Sequence, residues 1–288
     1  MPNFPEFKPV ELKDQGFFKQ YFEKFPPLIC EFNFGNIFTW RHFDHPRFTL
    51  LNNNLCLLFE PPIEPAFFLP PVGENKIEET IRTCLDYSPR LSRAPEDFVK
   101  KYGGKYKVEL DRNNCDYVYL SSDLINLKGK KYDGKRNRIR KFTKHHPYRY
   151  QKLKPQQFKE CLGLVNGWLA EKTFKDWVER VQRETLNEAL LNFGNLDLTG
   201  GAILVNDRIE AFSIGEKLNP DTAVIHFEIA NPKYEGLSQL INQEFVKNEW
   251  KDIKFINREQ DLGLPGLRKA KLSYHPHHLV NKYNLSLY

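Results

Sequence analysis

The sequence predicts an α+β protein made of two domains in tandem, each a mostly antiparallel sheet flanked by helices. Three observations carry this. The chain has 288 residues, the length of two ordinary domains. Short apolar runs rich in Phe, Tyr, Val and Ile are bounded by Asn, Asp, Gly and Pro, as strands and their turns are. The order helix, strands, helix, strand is clear in the second half and recurs more loosely in the first.

The elements follow in order. Residues 11–25 set Leu12, Phe17, Phe18, Tyr21, Phe22 and Phe25 on one side of a helix that stops at Pro26-Pro27. Strand patterns come next at residues 37–41, 47–51 and 55–60, the last two joined by the turn residues Asn52-Asn53-Asn54. Pro61-Pro62 opens a loop before a short apolar strand at residues 66–69, and Ile77, Ile81 and Leu85 mark a helix over residues 76–86. Residues 107–110 and 117–120 read as a further strand pair.

Between residues 127 and 149, ten Lys/Arg stand against one acid, Asp133, in a chain whose formal net charge is +6. The rest of the chain is therefore net acidic, and positive charge is concentrated in one stripe. Tyr132, Ile139 and Phe142 recur at helical intervals, so one face packs inward and the cations are held in fixed directions. The stripe comprises Lys128, Lys130, Lys131, Lys135, Arg136, Arg138, Arg140 and Lys144, with Arg136, Arg140 and Lys144 expected on one exposed face. Such a stripe suits RNA, a phospholipid surface or a phosphorylated ligand, and it is also what a solvated helix face looks like.

The second half continues with helices at residues 155–168 and 177–193. A meander follows at 201–205, 209–216 and 223–229, turning at Asn206-Asp207 and Asn219-Pro220-Asp221. A polar loop ending in Gly236 leads to a helix at 237–250, a strand at 254–257 and a last helix opened by Pro265. This is the element order of an acyltransferase fold of the N-acetyltransferase (GNAT) type. The domains are read as 1–148, ending in the basic helix, and 149–288, with the donor site.

Several classes are excluded. No apolar run approaches the roughly 18 residues of a membrane-spanning helix, and the N-terminus lacks the pattern of a signal peptide. The five cysteines are scattered, without a CxxC pair, which argues against a disulfide framework or zinc knuckle and for a reducing cytoplasm. The run His275-Pro276-His277-His278 has no Cys or acid beside it, so no metal site is expected. There is no serine-hydrolase elbow, Walker loop or dinucleotide fingerprint.

Two stretches carry candidate chemistry. In residues 222–245, Gly236 precedes a helix N-terminus, where phosphate-like anions bind, and Gln239 lies in the first turn. His226 and Glu228 alternate on the strand before it. Residues 255–274 hold Asn257, Arg258, Glu259, Asp261, Arg268, Lys269, Lys271 and Tyr274 directly after an apolar strand. Asp261 or Glu259 is the expected base, with His226 and Glu228 joining it, and Arg258, Arg268, Lys269 and Lys271 are the expected anion contacts. A structural salt-bridge network explains the same pattern.

Residues 116–142, DYVYLSSDLINLKGKKYDGKRNRIRKF, and 256–276, INREQDLGLPGLRKAKLSYHP, resemble the family of the phosphatidylglycerol lysyltransferase C-terminal domain (DUF2156). HFEIANPKYEGLSQLINQEF (226–245) and PPVGEN (70–75) fit the same pattern. The resemblance implies a tandem acetyltransferase-like fold in a stand-alone soluble branch, cytoplasmic or peripheral to the inner membrane face. It also implies transfer of an acyl or aminoacyl group, from acyl-CoA or aminoacyl-tRNA as donor substrate, to an amine, a hydroxyl or a lipid. The activated carbonyl is expected in a tunnel between the domains, with tRNA or an anionic lipid surface on the stripe. A non-catalytic module that docks on RNA or anionic membrane is the alternative.

Overall fold

The computed structural model describes residues 1–170 and 176–288, and the side chains outside 168–179, so the side chains of Trp168 and Trp177 lie outside the described residues. Two seven-stranded sheets, both largely antiparallel, carry the fold. The compact units are Met1–Tyr117 with Glu259–Arg268 and Leu279–Tyr288, and Val118–Arg258 with Lys269–His278. This division differs from 1–148 and 149–288. The basic helix Asp133–His145 belongs to the second unit, because Phe142 is buried among Ile203, Val205, Ala211, Leu237, Leu240 and Ile241.

In the first unit the strands run Lys8–Pro9, Arg47–Leu51, Asn54–Phe59, Phe67–Phe68, Leu91–Pro95, Lys282–Ser286 and Lys107–Leu110. Asn52 and Asn53 both take positive φ, the geometry of a tight hairpin turn. Cys56, Leu58, Phe68, Ile81, Leu91 and Leu285 form the core against the helix Ile77–Tyr87. Two expectations fail here. Residues 37–41 are not a strand: the helix Phe34–Thr39 buries Phe34, Ile37 and Phe38, an i, i+3, i+4 set that outweighs the β propensity of Ile, Phe and Thr. Lys107–Leu110 and Asp116–Leu120 are not a pair either; they lie in different sheets.

In the second sheet the order is His278–Val280, Asp116–Leu120, Phe255–Asn257, Thr222–Ala230, Arg208–Asn219, Thr199–Val205 and Tyr148–Lys152. The meander turns at Asn206 and Asp207, both with positive φ. Thr222–Ala230 and Phe255–Asn257 run parallel and pair only at Thr222–Phe255, Ala223–Ile256 and Val224–Asn257. Past Val224 the longer strand continues to Ala230 without this partner, so the pair opens toward its C-terminal ends. The helix Leu237–Glu249 reaches this stretch of the longer strand through Asn242, which donates to Glu228. Gly236, its cap, has φ +95°, and a Cβ there would stand 2.2 Å from the Arg138 carbonyl oxygen, so only glycine lets the basic helix come so close.

Candidate functional site

The predicted site residues fall into two groups. Glu259, Asp261 and Arg268 belong to the first unit. Asp261 is fully buried and wholly engaged. Arg268 donates to it through Nε and Nη2 at 2.7 and 2.9 Å, the Tyr117 hydroxyl at 2.5 Å, the Gly263 N–H at 2.8 Å and Arg112 Nη1 at 3.3 Å. Burial disfavours its charge, but the bonds from Arg268, Tyr117 and Gly263 outweigh this and hold the carboxyl well below the usual range. A carboxylate so placed is a weak base with no free face. Arg268 spends its remaining reach on Asn113 at 2.9 Å. Glu259 sits at φ +58°, accepts from Asn36 at 3.2 Å and gives its carbonyl to the Tyr117 N–H. This group closes the loop 259–268 within the unit.

The second unit holds the rest, at the opening of the parallel strands. Glu228, in the part of its strand that runs past its parallel partner, accepts from Arg258 Nη2 on one oxygen and from Asn242 Nδ2 on the other, each at 2.8 Å. Arg258 directly follows the short strand Phe255–Asn257. Its guanidinium lies against the rings of Tyr274 and Tyr119, 4.8 and 5.6 Å from their centroids. Its Nη1 is buried and has no hydrogen-bond partner, nor has Oδ1 of the fully buried Asn242. Lys271 donates its ammonium to the Arg258 carbonyl, which fixes the start of this turn. Asn257 is buried in the sheet register, and Gln239 is half-buried in the first turn of the helix after Gly236. His226 is 2.9 Å from Glu216 and buried with it, a closed pair. Lys269 is exposed.

The stripe also divides. Lys128, Lys130, Arg138, Arg140 and Lys144 are exposed, and Lys131 faces Asp123 at 3.7 Å. Arg136 is half-buried and clamps the preceding loop, donating to the carbonyls of Leu127 and Gly129 and to Asp133. It lies on the same helical face as Arg140 and Lys144, but unlike them it is not exposed. Lys135 turns away from the stripe: its Nζ donates to Ser273 Oγ at 2.6 Å and lies 4.1 Å above the Tyr274 ring.

One network has no counterpart in the sequence reading. In the first unit Lys282 is fully buried and its Nζ is 2.6 Å from both Glu31 and Asp116, with Cys30 Sγ donating to Asp116 at 3.3 Å. Cys30, Glu31 and Asp116 have the spacing of metal ligands. The chain's own ammonium already stands between the two carboxylates, and although burial opposes it, Asp116, Cys30 and Glu31 hold its pKa above the ordinary lysine value. Lys282 sits in the alternating run Lys-Tyr-Asn-Leu-Ser, where a lysine reads as solvent-facing. At the histidine run, His277 and His278 bring their Nδ1 atoms within 2.8 Å of each other.

Residues 22–286 match the family described as phosphatidylglycerol lysyltransferase, C-terminal. The chain belongs to this family. Among solved structures, this lysyltransferase-family chain is similar to a conserved protein of unknown function from Bacteroides thetaiotaomicron, with 31% identity, TM-score 0.87 and coverage of 98% and 99% of the two chains. L-PGS of Bacillus licheniformis shares the fold at 15% identity and TM-score 0.64, covering 95% and 92%. FemX shares it at 9% identity and TM-score 0.60, covering 98% and 97%. The fold is thus the α+β, tandem acetyltransferase-like one. Among the described residues, no helix is long and apolar enough to cross a membrane.

Proposed function

We propose that the chain is an acyltransferase of the aminoacyl type, moving an activated aminoacyl group from its ester on tRNA to a hydroxyl or amine, a lipid headgroup included. The observation that carries this is the buried, unpartnered Nη1 of Arg258 at the open end of the parallel strand pair, in a chain of the lysyltransferase family. An N–H donor held rigid by Glu228 and two aromatic rings, and still unsatisfied, suits the oxygen of a carbonyl that gains charge under attack. The donor ester is already activated, so positioning and this hydrogen bond supply much of the acceleration. Asn242, bonded to the other oxygen of Glu228, leaves its Oδ1 as a second unpartnered atom, an acceptor that fits a ligand N–H such as the amine of an aminoacyl ester. The exposed Lys128, Lys130, Arg140 and Lys144 suit the phosphates of an acceptor stem or of an anionic surface.

The test is label transfer. The protein is incubated with radiolabelled lysyl-tRNA, then with other charged tRNAs and with acyl-CoA, in the presence of phosphatidylglycerol vesicles or free amines. Label moving into the lipid or amine fraction supports the reading, and the donor that serves names the substrate. If every donor keeps its label above the uncatalysed rate of loss, the transferase reading fails and the stripe's docking role stands alone.

A further inference from the structure

We propose that Lys135 is the proton acceptor of this transfer, its amine taking the proton from the attacking hydroxyl or amine. The inference rests on the transferase reading above and gives the site the base it otherwise lacks. The acidic and histidine candidates are spent: Asp261 is sealed by Arg268 and Tyr117, His226 is closed on Glu216, and Glu228 is held on both oxygens. Lys135 is held on one side only. The Ser273 hydroxyl gives its own hydrogen to the Ala270 carbonyl at 2.6 Å, so toward Lys135 it can only accept. The amine therefore spends one N–H there. Its Nζ lies 4.1 Å from the centroid of the Tyr274 ring, which Arg258 also touches, and among the described residues no second hydrogen-bond partner takes its remaining positions.

The groups facing it come from every neighbouring element: Arg138 on its own helix, Glu228 on the long strand, Arg258 after the short strand, and Tyr274 beyond the last helix. Burial, then the like charges of Arg138 and Arg258, press its pKa down to about 8, against the opposing pull of Glu228. Much of it is thus neutral under mildly alkaline conditions, as a lysine base requires.

The step balances. The acceptor's O–H or N–H proton passes to the Lys135 lone pair as its oxygen or nitrogen bonds to the donor's carbonyl carbon. The carbonyl π pair moves onto oxygen, toward Arg258 Nη1. When the adduct collapses, the bond from carbon to the leaving oxygen or sulfur breaks. That atom takes the proton back from Lys135, which ends neutral.

Trace acetylation of the intact protein across a pH series, read by peptide mass spectrometry, reports the titration of Lys135 without any substrate. The expected midpoint is near 8, against about 10.4 for an ordinary lysine. In the transfer assay the wild-type rate should rise with pH through this value. Lys135→Arg should keep the charge, lose roughly 10²-fold in rate and lose that rise. Lys135→Ala should regain rate with added methylamine, which a purely structural lysine would not allow. A midpoint at the ordinary value overturns the proposal. So does a Lys135→Arg variant with full rate and an unchanged profile, which leaves the transferase reading intact. A lysine titrating near 8 in a chain that transfers nothing sinks the transferase reading and the base role together.

Discussion

The Asp261 network of the first unit and the Glu228 network of the second each set a carboxylate against an arginine, and both draw on the same charged segment that follows the strand Phe255–Asn257. They differ in what remains unbonded. Around Asp261 every strong group is matched: two bonds from Arg268, one each from Tyr117, Gly263 and Arg112, and Asn113 on the far side of the guanidinium. Around Glu228 the carboxylate is matched, but Arg258 Nη1 and Asn242 Oδ1 are not. Buried polar atoms without partners cost free energy, on the order of 1–3 kcal/mol each. Charge and burial are alike in the two networks; the unmatched atoms, of a kind found also at Glu31, Thr49, Asn54, Arg90 and Trp250, are what differs.

The sharpest way to break this comparison is Asp261→Asn. Removing one partner of a buried ion pair costs about 3–5 kcal/mol, so the melting temperature should drop by roughly 10 °C, read by calorimetry. Transfer per folded molecule should stay near wild type; a fall of about 10²-fold would return Asp261 to the chemistry. The pH dependence has a definite sign. The folded pKa of Asp261 is depressed, so its contribution is complete above the unfolded value near 3.9 and is lost as pH falls through the folded one. Asp261→Asn should therefore lose part of the wild-type acid sensitivity below about pH 4.

Next in size is Arg258→Lys. It keeps the charge beside Glu228 but removes the planar fork, so the free N–H no longer points at a fixed place. Transfer should fall by about 10²-fold, the scale of a lost oxyanion donor. Full activity in Arg258→Lys would make the Glu228 network scaffold too. The smallest effect belongs to the stripe. Arg140→Glu with Lys144→Glu should weaken binding to tRNA or anionic vesicles by about 10-fold and flatten its salt dependence by about two charges, with little change in melting temperature. Unchanged binding would leave the stripe a solvated surface.

Much of the fold was legible because local chemistry and global structure agree. Asn52-Asn53 and Asn206-Asp207 both form their turns with positive φ, Gly236 caps its helix, and Phe142 anchors the basic one. The failures have physical causes. Lys107–Leu110 and Asp116–Leu120 are neighbours in sequence, and neighbours usually pair, but Lys282–Ser286 takes the place beside Lys107–Leu110. Residues 37–41 carry β-forming side chains, yet packing of Phe34, Ile37 and Phe38 decides for helix. In the site, Arg258 and Glu228 stand out in sequence as charges near a strand end. Asn242 and Lys135 do not: one is a polar residue inside a helix, the other one cation among ten. Only the fold shows where their side chains turn.

The strand Lys282–Ser286 lies inside the first sheet, between Leu91–Pro95 and Lys107–Leu110, and its first residue neutralises Glu31 and Asp116. This has a consequence for synthesis. A nascent chain that has delivered residues 1–117 has neither the strand that joins Leu91–Pro95 to Lys107–Leu110 nor the cation its buried acids need. The sheet of the first unit cannot be completed before residue 286 has been made. The second unit, apart from the short piece Lys269–His278, is complete in one run from Val118 to Arg258. The unit begun first is thus the last to have all of its chain, whereas vectorial folding favours units that are complete early.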